Sequence, residues 1–160
     1  GYDRFIQNNS RFLEIIMAAN PNVIIWTEDD GQVSICHPIS TYSKSLDELA
    51  KKVVPSGKSY KIIKQSDIPT DRNFRDAWVQ DGDTAKEDVS KAKTIAHTTR
   101  REKREAEFKP HDDIIAKQIP GKSASDAETA RAGIRTKYAT MQTNIDNATD
   151  IAGIKTALGG

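Results

Sequence analysis

The sequence predicts an α+β protein in which a small unit with a β-hairpin, a third strand and short helices precedes a long, coiled-coil-like antiparallel helical hairpin. Eight of the ten aromatic residues lie between Tyr2 and Trp78, and aromatic side chains supply much of the buried area of a core. Alternating apolar residues are also confined to this half, whereas the second half is Ala-rich with helical spacing. We expect an N-terminal helix or leader over residues 1–21, a small α+β unit over residues 22–80 and a helical arm over residues 81–160.

The composition limits the class of protein. The chain has 160 residues and is 36% hydrophobic, which fits one small domain with an appendage better than one large spherical core. Its net charge of +1 gives no overall attraction to nucleic acid or to an anionic membrane. Because Cys36 is the single cysteine, an intrachain disulfide is excluded, which fits a reducing compartment. No apolar run approaches membrane-spanning length, so we expect a soluble protein made in the cytoplasm, without a membrane partner.

The first predicted elements are a helix and a β-hairpin. Ser10 can cap a helix that runs to Ala19. Residues 23–27 are β-branched and aromatic, residues 28–31 have the composition of a turn, and residues 32–37 alternate in polarity. This succession is typical of two antiparallel strands joined by a turn.

A short helix and a third strand are predicted next. Ser45 and Glu48 have the spacing of a capping box, which opens a helix that runs through Val53. Residues 59–64 form the third strand, with Tyr60 on the face opposite to Ile63. The small unit is therefore expected to place a helix beside three strands.

The segment 66–78, here called the knuckle, marks the change from strand to helical pattern. Pro69 cannot continue a strand ladder or a helix interior, and Thr70 or Asp71 can cap the turn of helix that follows. We therefore expect a turn of helix between the last strand and the arm.

Two aromatic residues of the knuckle are candidates for either packing or partner binding. Phe74 and Trp78 are four residues apart and would share one helical face. The structural interpretation, in which both rings insert into the small core, is favoured over a binding site. The charged side chains expected to remain outside are those of Arg72, Arg75 and Asp76.

The first helix of the arm is predicted from Lys86 to about Lys109, after a turn at residues 81–83. Pro110 is expected to break or kink it, and a further turn or two of helix should end at Pro120 and Gly121. The apolar stripe of this helix is thin, because its positions are mostly small residues, so the helix needs a partner. The stripe consists of Val89, Ala92, Ala96, Thr99 and Ala106.

The second helix of the arm should begin at Ser123 or Ser125 and run to about Asp146. Its apolar residues recur every three or four positions and form a stronger seam: Ala127, Ala130, Ile134, Tyr138, Met141, Ile145 and Ala148. Two helices of similar length joined at a Pro-Gly turn are expected to pair antiparallel. Thr149 or Asp150 can cap a last short helix through Leu158.

The mismatch between the two arm helices predicts association. The seam of the second helix is wider than the small side chains of the first helix can cover. The remainder could be covered by residues 114–119 folding back, by the N-terminal helix or by a second copy of the chain, and the thin Ala-rich arm favours the second copy. We therefore expect a homo-oligomer, or a chain that becomes ordered only within a larger assembly. The candidate partner-binding residues of the arm are Ile134, Tyr138, Met141 and Ile145.

Catalytic, cofactor and metal sites are not predicted. Cys36 and His37 are adjacent on a strand and point to opposite faces, so they do not form a nucleophile and base pair. His37, His97 and His111 lack the short spacings of a metal site. The acidic residues at positions 81–88 lack the glycine and the closing glutamate of a calcium loop. We expect a protein that is not an enzyme and binds no cofactor.

A basic run is the one charge feature with functional potential. It comprises Arg100, Arg101, Lys103 and Arg104. On a helix these residues spread around the circumference, with Arg100 and Arg104 on one face. A solvated face of mixed charge is the favoured interpretation, and a phosphate-binding patch that contacts nucleic acid is the alternative.

The chain resembles a family of small proteins of tailed bacteriophages and prophages, found among virion genes. The resemblance rests on residues 23–38 (VIIWTEDDGQVSICHP), 66–78 (SDIPTDRNFRDAW), 104–112 (REAEFKPHD) and 117–121 (KQIPG), and it covers about residues 23–158. It implies a phage origin, a structural or assembly role, virion or assembly proteins as partners, and a location in the virion or the host cytoplasm. It implies no catalytic residues.

Overall fold

The computed structural model describes residues 20–160, so the predicted N-terminal helix lies outside the described residues. The fold is α+β, as predicted, and the chain divides into two compact units after Glu87. This division lies beyond the predicted boundary between residues 80 and 81, because residues 78–87 form a β-hairpin that belongs to the first unit.

A three-stranded antiparallel sheet forms the centre of the first unit. Its strands are β1 (Asn22–Thr27), β2 (Val33–Cys36) and β3 (Tyr60–Lys64), in the order β2-β1-β3. The predicted hairpin and third strand are thus confirmed. Gly31 adopts φ 84° in the β1–β2 turn, a conformation that glycine adopts without steric cost.

The central strand β1 is covered on both faces. Val23 and Ile25 are fully buried on one face in a cluster with Ile63. Ile24 and Trp26 lie in a second cluster that includes Ala50, the buried residue of α1 (Leu46–Val53). The predicted capping box of α1 is confirmed, since the Ser45 hydroxyl accepts from the Glu48 amide at 3.2 Å.

The knuckle forms 3₁₀ turns and a strand, where a turn of α-helix was predicted. The turns are Gln65–Asp67 and Arg75–Ala77, and Trp78 begins β4 (Trp78–Asp81), which pairs with β5 (Thr84–Glu87). The predicted helix start at Lys86 was wrong for this reason. Pairing with β4 outweighs the helical preference of Ala85, Lys86 and Glu87, and Gly82 at φ 60° permits the tight turn between the strands.

The second unit contains three helices: α2 (Val89–Lys117), α3 (Ala124–Asn147) and α4 (Ile151–Ala157). The side chains of Asp88, Ser123 and Asp150 cap their first turns. The caps predicted at Ser123 and Asp150 are confirmed. Since capping residues satisfy otherwise unpaired amide groups, each helix has a defined start.

Pro110 was predicted to break or kink the helix, and of these two alternatives the break is wrong, since Pro110 lies inside α2. Proline removes one helical hydrogen bond, here to the carbonyl of Ala106. The helix continues because contacts with α3 hold it beyond the proline: Arg131 Nε lies 2.8 Å from Asp112 Oδ1. α2 ends at Gln118, which has φ 49°.

The turn between α2 and α3 follows the sequence prediction. The amide of Lys122 donates to the carbonyl of Ile119 at 3.1 Å, and Gly121 has φ 76°. This arrangement has the proline and glycine positions of a type II turn. It reverses the chain and makes α2 and α3 a helical hairpin.

Pairs of residues along the hairpin show the antiparallel register. His97 Nε2 lies 2.8 Å from Asp146 Oδ1, and Lys137 Nζ lies 2.6 Å from Glu107 Oε1. The buried residues of α2 are Ala92, Ala96 and Arg100; those of α3 are Ala127, Ile134, Tyr138 and Ile145. α4 packs against both long helices through the buried Ile154.

Candidate functional site

The aromatic residues of the knuckle are part of the core of the first unit. Phe74 is 3% exposed and Trp78 is fully buried. The Arg75 guanidinium lies 4.6 Å from the Trp78 ring centroid, and that of Arg72 lies 5.7 Å away. Arg75 also donates to the carbonyl of Val33. The rings therefore act in packing and, in this conformation, offer no surface to a partner.

The Cys36 thiol is a poor candidate nucleophile. Cys36 pairs with Ile24 in the sheet and is partly buried, and this burial raises the pKa of its thiol. A raised pKa keeps the thiol protonated near neutral pH, whereas nucleophilic attack requires the thiolate. His37 follows the end of β2 and is exposed.

The seam of α3 is covered within the chain. Ile134 is 8% exposed, Tyr138 is 1% exposed and Ile145 is fully buried, while Met141 is half-buried. Ile134, Tyr138 and Ile145 are therefore not available to a second molecule in this conformation, whereas Met141 is partly accessible. The mismatch that motivated the predicted homo-oligomer is thus removed, and the oligomeric state stays a prediction without that support.

A polar network crosses the hairpin at Tyr138. The Tyr138 hydroxyl and Lys137 Nζ both donate to Glu107 Oε1, each at 2.6 Å. These bonds lower the pKa of Glu107. Burial and then the bond to Glu107 raise the pKa of Tyr138 to about 12. The buried hydroxyl thus has a charged partner at the edge of the seam.

The basic run is divided by the helix. Arg101 is exposed and donates to Thr98 Oγ1 at 3.0 Å, and Lys103 donates to the carbonyl of Leu158 at 3.0 Å. Arg104 lies over the Phe108 ring, 5.2 Å from its centroid. Arg100 is only 8% exposed. The four candidate nucleic-acid residues therefore do not form one continuous surface.

Arg100 and Arg104 instead contribute to a cleft in the second unit, here called the arginine cleft. Its volume is about 170 Å³. The cleft is lined by Arg100, Arg104, Arg135, Tyr138, Ala139 and Gln142. Three guanidinium groups thus border one small space between α2 and α3.

The sequence analysis singled out Arg100 and Arg104 but missed Arg135. Ala92 and Ala96 were predicted to lie on the apolar stripe of the first arm helix. Arg100 follows Ala96 at the same interval of four residues, so this spacing could have placed it there as well. Arg135 lies on α3, and its position opposite α2 depends on the register of the hairpin. Pairing residues outward from the Pro-Gly turn would have placed it near Arg104.

Within residues 20–160, no group of three or more His, Cys, Asp or Glu side chains is arranged to hold a metal ion. In the same part of the chain, no helix has the length and apolar character needed to cross a membrane.

Comparison with known proteins gives no relative. No family model matches the sequence, and neither the curated proteins nor the solved structures contain a match.

Proposed function

We propose that this protein is a non-enzymatic structural or assembly accessory protein of a tailed bacteriophage, which acts through protein–protein contacts. The observation that carries the proposal is the helical hairpin, with capped helices joined by a tight turn. A long hairpin whose seam is already filled presents its outer faces to other molecules. The resemblance of four segments to phage proteins supplies the phage context.

The surface used for contacts is expected on the outer faces of α2 and α3. The knuckle rings and the α3 seam are buried, so they are excluded in this conformation. The outer faces are polar, and α2 carries surface ion pairs such as Asp113 with Lys109 and Lys117. Polar interfaces of this kind are typical of non-obligate contacts. A coiled-coil-like association of two copies through these faces belongs to the same proposal.

Quantitative mass spectrometry of purified phage particles tests the proposal. The chain should be present at a fixed copy number relative to the major capsid protein. Presence only in unfinished particles would support the assembly role. Absence from both mature and unfinished particles would refute the proposal. Light scattering of the purified protein at micromolar concentration measures whether it forms a homo-oligomer.

A second candidate is a small regulatory phage protein that binds nucleic acid. It is favoured by the arginine cleft, which gathers three guanidinium groups. Its binding should weaken steeply as salt rises, because contacts to phosphates release counterions. No binding of a DNA duplex at low salt would remove this candidate.

A further inference from the structure

We propose that the arginine cleft is a binding site for a phosphate group. This inference goes beyond the assembly role and does not depend on it, because a phosphate site in the arm is compatible with either candidate function. The starting point is Arg100, the buried charged residue of α2.

Arg100 occupies a position of the seam where a small apolar residue would be expected. Ala92 and Ala96 precede it at intervals of four residues and are fully buried. Its guanidinium is always charged, and a charge removed from water is costly unless it is paired. Among residues 20–160, no hydrogen-bond partner contacts its buried Nε atom. An anion in the cleft would compensate this charge.

The other groups at the cleft are suited to an oxyanion. Arg104 of α2 and Arg135 of α3 line the cleft, so arginine residues border it from both helices. Each guanidinium presents several N–H donors in a planar fork that matches the oxygens of a phosphate. The Gln142 side chain adds an amide that can donate a further hydrogen bond. The donors present are those of a phosphate site.

The charge and the volume of the arginine cleft suit a phosphate group. Glu128 lies 2.6 Å from Arg135 and offsets part of the positive charge of the three arginines. Glu107 accepts from the Tyr138 hydroxyl at the cleft and is itself paired with Lys137. The remaining positive charge attracts both a phosphomonoester, which carries about −1.5 to −2 charges at neutral pH, and the singly charged phosphates of a nucleic-acid backbone. A cleft of about 170 Å³ has space for a phosphate group.

The phosphate can come from free inorganic phosphate or from a nucleic-acid backbone, and the experiment separates these sources. Inorganic phosphate is titrated into the full chain at constant ionic strength, with chloride as the replaced anion. The signals followed are the Arg Nε–Hε resonances in NMR spectra. A saturable shift of the Arg100 resonance is expected. In a parallel arm, a short DNA duplex replaces phosphate.

The variants are chosen so that the fold is retained. Arg104→Ala and Arg135→Ala remove guanidinium groups that are more exposed than Arg100, and circular dichroism checks the helices. Each should weaken phosphate binding by roughly tenfold, the factor that corresponds to about 1.4 kcal/mol. Arg101→Ala is the matched control, because Arg101 lies on the same helix outside the cleft and should leave binding unchanged.

The outcomes are distinct. Saturable binding of phosphate that depends on Arg104 and Arg135 supports the site, with free phosphate as a sufficient ligand. Binding of DNA alone, with the same dependence, supports the site with the backbone as its source. Absence of binding in both arms, or equal weakening by Arg101→Ala, would overturn the proposal.

Discussion

Trp78, the last residue of the knuckle, places its ring in the core of the first unit. The ring is fully buried, and Arg75 lies 4.6 Å from its centroid. Removing a large buried ring forfeits its hydrophobic contribution and leaves a cavity. The stability of the first unit therefore depends on Trp78. This residue begins a strand, although the sequence predicted that it lies in a turn of helix.

We expect Trp78→Ala to lower the free energy of unfolding of the first unit by about 3–5 kcal/mol. Urea denaturation followed by circular dichroism measures this change. Arg72→Ala is the control, because Arg72 is exposed and lies 5.7 Å from the ring centroid, so it should cost far less. Equal losses in both variants would contradict a packing role for the ring.

Tyr138 links stability to pH in the second unit. Its pKa is raised from 10.0 to about 12 in the folded protein. The folded state therefore holds the phenolic proton more tightly than the unfolded chain does. The resulting stabilisation is fully present below pH 10 and is lost as the pH rises toward 12.

We expect Tyr138→Phe to be less stable than the wild type at pH 8 by about 1 kcal/mol, the contribution of one net hydrogen bond. The difference should shrink as the pH rises from 10 toward 12. Lysine side chains also titrate in this range, but they do so in both proteins, so the difference isolates Tyr138. Urea denaturation at several pH values gives the measurement, and a difference that stays constant with pH would contradict the assignment.

At the scale of elements, the structures that depend on residues close together in the sequence were predicted correctly. The capping box at Ser45 and the turn at Pro120 and Gly121 depend on residues within a few positions of each other, and both are present. The β4–β5 hairpin was missed because it depends on pairing between residues on either side of a turn, such as Trp78 with Glu87. This pairing overrides the helical preference of the residues in β5. The continuation of α2 past Pro110 was missed because it depends on contacts with α3.

The candidate site shows the same limit. Arg100 could be assigned to the seam from its four-residue spacing after Ala96, although the sequence interpretation favoured a solvated face. Arg135 could not be assigned from its neighbours, because its local sequence does not indicate which residues of α2 lie opposite it. Only the register of the hairpin brings it beside Arg104.

Two glycines of the arm provide a matched pair of variants. Gly121 has φ 76°, which a side chain disfavours, so Gly121→Ala should lower the free energy of unfolding by about 1 kcal/mol. Gly133 lies within α3, and a Cβ there would have open space around it, so Gly133→Ala should raise this energy by about 0.5–1 kcal/mol. Thermal denaturation of both variants tests the prediction, which is contradicted if the two melting temperatures move in the same direction.

At the scale of the whole molecule, the chain divides into two compact units, and each contains buried apolar residues. The first contains β1 residues such as Ile24 and Ile25, and the second contains Ile134 and Ile145 of α3. Because Ile134 packs within the hairpin, a charge at this position should act on folding. This expectation differs from the interface role that the sequence predicted for the same residue.

We expect Ile134→Asp to remove most of the helical signal of the second unit at 25 °C, because it buries an unpaired charge in a narrow seam. The near-ultraviolet signal of Trp26 and Trp78, which belong to the first unit, should remain. Thr140→Asp is the control on the exposed face of α3 and should keep the helical signal. A folded Ile134→Asp protein that only loses self-association would instead favour the interface role.

The tight turn at residues 119–122 also affects how quickly the second unit folds. Three pairs of residues connect the two helices at increasing distance from this turn: Asp112 with Arg131, Glu107 with Lys137, and His97 with Asp146. Each new pair enlarges a loop that is already closed by the previous one, so the added entropic cost is small. Helical hairpins with such local contacts fold in about microseconds to milliseconds. The hairpin can therefore form progressively from its turn outward. Its folding rate should be more sensitive to substitutions at Gly121 than to equally destabilising substitutions near Asp146.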